Sequence, residues 1–80
     1  MVVRIKLPLV SGKEMIKILS MKGFQVVRQR SSHIQMKDAE GRLVTVPLHS
    51  GKNVSIGVIL KILRDAEISR EEFIDLAKKV

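Results

Sequence analysis

His33 and His49 are the two histidines of an 80-residue chain that has no cysteine, tyrosine or tryptophan. They are the side chains that ordinarily titrate nearest neutral pH, so acid–base chemistry starts with them. His33 stands in RQRSSHIQM, behind Arg28 and Arg30, with Lys37 on the same run and Lys52 brought near by the turns that follow. Cations so placed hold a phosphodiester, and a neutral imidazole beside it can take the proton of a ribose 2′-hydroxyl as a general base. The same histidine is equally an ordinary strand residue facing solvent. His49 lies in a loop just ahead of a helix, where free amides and Lys52 can receive an anion. Its alternative role is a local hydrogen bond at the start of that helix.

Other chemistries find no support. Two histidines without a helical i, i+4 spacing, and with Asp38 and Glu40 in a turn, do not make a metal site; no metal and no small-molecule cofactor are expected. Ser31, Ser32 and Ser50 lie near histidines, but the Gly-x-Ser-x-Gly elbow of a serine hydrolase is missing. A phosphate-cradling glycine loop is missing too. The shortage of aromatics, two phenylalanines with no tyrosine or tryptophan, argues against single-strand binders that stack bases on the sheet.

The elements that must position these residues follow from periodicity and caps. Residues 11–22 (SGKEMIKILSMK) predict a helix, with Ser11 as N-cap, Glu14 closing a capping box and Gly23 as the stop. FQVVRQR predicts a strand with Phe24, Val26, Arg28 and Arg30 on one face, and Ser31-Ser32 a tight turn. HIQMKD predicts a second strand that sends Ile34 and Met36 to a core, and His33, Gln35 and Lys37 to solvent. After a turn at Asp38–Gly41, residues 42–48 predict a third strand with Val44, Val46 and Leu48 inward, and Pro47 marking an edge or a strand end. Residues 49–53 (HSGKN) are loop. An apolar helix runs over 55–65, with Gly57 expected at a close packing contact. A last helix starts at N-cap Ser69 with Glu72 as its capping partner and buries Phe73, Leu76, Ala77 and Val80. Three strands joined by short turns make an antiparallel meander with helices on one face, an α+β fold.

The chain length allows one domain, 1–80. The absence of cysteine suits a reducing cytoplasm. MVVRIKLPLV is too interrupted by Arg4, Lys6 and Pro8 for a signal peptide, and no run approaches the roughly 20 apolar residues of a membrane span. The net charge is +7, divided into +9 over residues 1–64 and −2 over residues 65–80. A basic body of this kind expects an anionic partner, nucleic acid first.

Taken together, SGKEMIKILSMKGFQVVRQRSSHIQM and GRLVTVPLHSGKNVSIGVILKILRDAEISREEF resemble the HicA family of mRNA interferase toxins over nearly the whole chain. The most specific parts are the Gly23-Phe24 join, Arg28-x-x-x-Ser32-His33, Val46-Pro47-x-His49 and Gly57-x-Ile59-x-x-Ile62-Leu63. The resemblance implies a double-stranded-RNA-binding-domain-like fold. It also implies a cytoplasmic endoribonuclease with His33 as the catalytic histidine, held in check by a HicB-like antitoxin protein. Arg28, Arg30, Ser32, Lys37 and Lys52 are then the RNA-binding candidates, with His49 as an accessory catalytic residue. Many members carry glycine where Ser31 stands, and an aromatic or basic residue often follows the histidine where Ile34 and Gln35 stand. The rival readings are a non-catalytic double-stranded-RNA-binding module and a protein that only docks a partner.

Overall fold

In the computed structural model, residues 6–49 and 51–80 are described. Residues 1–5, part of the leader argument above, and Ser50 of the loop and serine readings lie outside them. The chain runs α1 (Gly12–Met21), β1 (Gln25–Arg30), β2 (His33–Lys37), β3 (Leu43–Pro47), α2 (Ile56–Ala66) and α3 (Arg70–Ala77). The strands form one antiparallel three-stranded sheet in the order β1-β2-β3. The α+β meander expected from the sequence is the fold observed. No helix among the described residues is long and apolar enough to cross a membrane.

A serine opens each helix. The hydroxyls of Ser11, Ser55 and Ser69 accept from the amides of Glu14, Val58 and Glu72 at 3.1, 3.4 and 3.1 Å, satisfying donors that the first helical turn leaves unpaired. In α1 the box closes, because the Ser11 amide donates to Glu14 Oε1 at 2.9 Å. In α3 it does not close. Glu72 turns instead to Lys22 Nζ at 2.6 Å, tying α3 to the end of α1. At that end Gly23 takes φ +90°, and the Phe24 amide donates back to the Leu19 carbonyl at 3.0 Å, the chain reversal that only a residue tolerant of positive φ makes cheaply.

The core lies between one sheet face and the helices. Ile34 and Met36 of β2 and Val44 and Val46 of β3 meet Met15, Ile18 and Leu19 of α1, Ile59, Ile62 and Leu63 of α2, and Phe73 of α3. No polar side chain is buried among the described residues. Helix α2 packs chiefly on β3, and α1 lies between β3 and α3 and packs on both.

Four details depart from the sequence reading. Phe24, Val26, Arg28 and Arg30 do not share a face: the register shifts between Val26 and Arg28, so Val27 is an extra, bulged residue. Phe24 can then stay in the core while Arg28 and Arg30 turn to the open face, which a strict two-residue alternation forbids. Val26, opposite Met36, is on the helix side but remains 51% exposed because β1 overhangs the helix layer. Val80 is exposed rather than buried, and Leu48 is half-buried beyond the end of β3. Gly57 is exposed, and a Cβ there would meet nothing within 4 Å. The close approach is at Gly12 instead, where a Cβ would stand 2.6 Å from the Pro47 carbonyl oxygen.

Candidate active site

Pro47 ends β3 at an edge, as its missing amide hydrogen requires. The Leu48 amide donates to the Ser32 carbonyl at 2.6 Å and the Asp38 amide to the Arg42 carbonyl at 3.2 Å. Hydrogen-bonded pairs alternate along an antiparallel ladder, so Pro47 falls at a position whose backbone turns away from β2. It removes no ladder bond there.

The register then lays out the open sheet face as rows. Arg30, His33 and Pro47 are cross-strand partners; Arg28, Gln35 and Thr45 form the next row; Lys37 and Leu43 stand beyond. Neighbours in a row are about 5 Å apart and successive rows roughly 7 Å apart. Arg28, Arg30, Ser31, His33, Gln35 and Thr45 line an open hollow of about 440 Å³. His33 therefore has Arg30 across the hairpin and Arg28 one row away, with its ring in solvent.

Of the sequence-predicted residues, the fold brings Arg28, Arg30 and His33 into this hollow. Lys37 lies at the far end of the same face and outside the lining. Ser32 is half-buried in the hairpin turn, and its carbonyl is engaged by Leu48. His49 and Lys52 line a second depression with Pro47, Asn53, Ser55 and Val58, at the start of α2. The two histidines thus open on separate hollows. Ser31, Gln35 and Thr45 complete the first one, and none of them was among the predicted site residues. The alternation that turned His33 outward also turns Gln35 outward, and Thr45 needed only the β2–β3 register.

The charges divide the molecule. Arg42 is held by Asp38 at 2.8 Å, by Glu40 at 2.6 Å and by Glu67, which fastens the β2–β3 turn to the end of α2. The Glu67 and Asp38 hydrogen bonds hold the Arg42 guanidinium still further above its usual range. Burial pushes the Asp38 carboxyl upward, but hydrogen bonds from the Arg42 side chain and amide outweigh it and leave the group below the usual carboxylate range. At Asp65 the Lys61 contact at 3.1 Å has the same lowering effect. None of the ion pairs among the described residues uses Arg28, Arg30, Lys37 or Lys52. The cations on the open face therefore keep their charge for a ligand.

A family model described as "HicA toxin of bacterial toxin-antitoxin" matches residues 12–68, well over half of the chain. The chain belongs to the HicA toxin family. No curated relative matches it. The HicA match contains every residue that lines both hollows and stops before α3, which is held on by Phe73 and by the Lys22–Glu72 pair. As a HicA toxin, the protein works within a toxin–antitoxin system, and a cognate antitoxin is its implied partner.

Proposed function

We propose that this HicA protein is a metal-independent endoribonuclease that cuts mRNA in the cytoplasm with His33 as its catalytic residue, and that a HicB-like antitoxin neutralises it. The observation that carries this reading is the placement of His33 on an uncovered sheet face, in one hollow with two arginines that take part in none of the ion pairs among the described residues. In the reaction, the His33 imidazole takes the proton of a ribose 2′-hydroxyl. The freed oxygen attacks its own 3′-phosphate, and the bond to the 5′-oxygen of the next nucleotide breaks. Arg28 and Arg30 offset the charge that builds on the phosphorane. Positioned proton transfer supplies typically 10²–10⁴-fold and charge stabilisation adds to it. His49, in the neighbouring depression with Lys52, or a water protonates the leaving oxygen, so His49 acts as an accessory to His33. An antitoxin surface of acidic character, laid over the hollow, removes His33 from RNA and associates faster for its complementary charge.

The test is chemical. Purified protein should cut RNA in the presence of EDTA, leave 2′,3′-cyclic phosphate ends, and fail on RNA carrying 2′-deoxy or 2′-O-methyl ribose at the cut. Dependence on a divalent ion, or equal cutting of DNA, would overturn the mechanism. Tight RNA binding without cleavage would return the protein to the binding-module reading.

A further inference from the structure

Arg28, Arg30 and His33 account for the phosphate and the ribose, which leaves the middle of the hollow unassigned. We infer that the hollow receives a single unpaired nucleotide whose base is read by the carboxamide of Gln35, with Thr45 beside it; this rests on the endoribonuclease reading of His33.

Gln35 is the centre of the second row, with Arg28 as its cross-strand partner on β1 and Thr45 on β3. It stands one same-face step from His33, roughly 7 Å along β2. A nucleotide whose 2′-hydroxyl touches the His33 ring can therefore lay its base over Gln35. Neither the Gln35 amide nor the Thr45 hydroxyl makes any of the side-chain hydrogen bonds found among the described residues. Both residues are half-buried and line the hollow, so their donors and acceptors face whatever enters it. A carboxamide offers two N–H donors and a carbonyl acceptor, the uncharged pairing set that matches a base edge.

Two further observations narrow the ligand. The chain has two phenylalanines, Phe24 and Phe73, and both are in the core. A base in the hollow therefore has no phenylalanine ring to stack on, and with the His33 imidazole engaged at the ribose it is held at its edge. The volume of about 440 Å³ is near the lower end of the roughly 300–1,000 Å³ typical of small-ligand pockets. That is room for one nucleoside. In an A-form duplex the Watson–Crick edges are engaged in pairing, the deep major groove is closed to side chains, and the shallow minor groove is recognised mostly by shape, whereas bases read at their edges are unpaired; the nucleotide read here is therefore an unpaired one.

The experiment maps cuts on RNA randomised around one position, presented either single-stranded or locked in a duplex, and reports each base as a fraction of total cleavage. The wild-type protein should favour the single strand, and should prefer some bases over others by about tenfold at the nucleotide that supplies the 2′-hydroxyl. Gln35→Leu should flatten that preference. Gln35→Glu keeps acceptors and loses donors, so its profile should move away from uracil and toward bases with an amino edge. Thr45→Val, which removes only the hydroxyl, should alter the profile in a narrower way. Normalised profiles do not depend on how much of each variant is folded. An unchanged profile in all three variants, or equal cutting of the duplex, overturns the assignment while leaving the nuclease intact. No cleavage by the wild-type protein overturns the nuclease reading and the assignment with it.

Discussion

The two faces of the sheet are made from the same strands, and neighbouring residues on one strand serve opposite ends. Toward the helices, Ile34, Met36, Val44 and Val46 are almost wholly buried. Toward solvent, His33, Gln35, Lys37 and Thr45 alternate with them and, together with Arg28 and Arg30, make this face polar and basic. The inner face has no buried polar group to misplace, and the outer face has no apolar cluster whose loss would open a cavity. Stability and chemistry are thus separated by a single residue of register, and substitutions on the two faces should fail in different ways.

The largest expected effect is on the outer face. His33→Ala should reduce RNA cleavage by about 10²–10⁴-fold, while the melting temperature stays close to that of the wild type because an exposed ring leaves no cavity. A folded variant that still cuts at near wild-type rate would break the separation. The inner-face counterpart is Met36→Ala, which leaves a void among fully packed neighbours and should cost about 2–5 kcal/mol. That is a large share of the stability of a small domain, so calorimetry or chemical denaturation will register it directly. Any cleavage it loses should track the unfolded fraction alone.

Next come the arginines, which separate free charge from paired charge. Arg28→Gln and Arg30→Gln should each weaken RNA binding and flatten the salt dependence of its affinity by roughly 0.7 in log–log slope, the share of one single-strand phosphate. Arg42→Gln removes the same formal charge from a site already occupied by Asp38, Glu40 and Glu67, so it should weaken the fold and leave the salt slope in place. Identical slopes for all three variants would mean that the open face does not contact phosphate.

Much of this was legible in the sequence because local rules agreed with the tertiary outcome. Serine caps, the glycine at the end of α1 and the two-residue alternation of HIQMK each point to the element that forms. What stayed hidden depended on contacts between distant segments. The bulge at Val27 arises because Phe24 must enter the core while Arg28 and Arg30 leave it, a conflict visible only once the helix layer is placed. Thr45 joined the hollow through strand pairing, and Glu72 left its cap for a lysine 50 residues away. The glycines show the same limit. Gly57 looked like a packing residue from its apolar neighbours, but Gly12 is the one pressed against the Pro47 carbonyl. Gly12→Ala should therefore destabilise by about 1–3 kcal/mol, as overpacking does, whereas Gly57→Ala should stabilise by up to about 1 kcal/mol through helix propensity. Equal shifts in melting temperature would show that the helix start and the strand end can separate without loss.

The smallest effect lies where the two faces meet, at the β1–β2 turn. Ser31 and Ser32 form a two-residue hairpin loop between the partners Arg30 and His33, and Ser31 has φ +54°. A positive φ at the first loop residue is what a type II′ turn demands, and glycine is the residue that meets it without strain. This gives a physical meaning to the glycine that many HicA members carry at this place. A side chain held there costs about 1 kcal/mol or more, partly offset by the greater freedom a glycine loses on folding, about 0.5–1 kcal/mol. Ser31→Gly should therefore raise stability by less than about 1 kcal/mol, a rise of a few degrees in melting temperature for a chain of this size. The same change strips a hydroxyl from the rim of the hollow without moving His33, so cleavage should shift by less than about tenfold, the worth of a single neutral hydrogen bond. A fall in melting temperature would show that the Ser31 side chain stabilises the turn by more than its backbone strain costs.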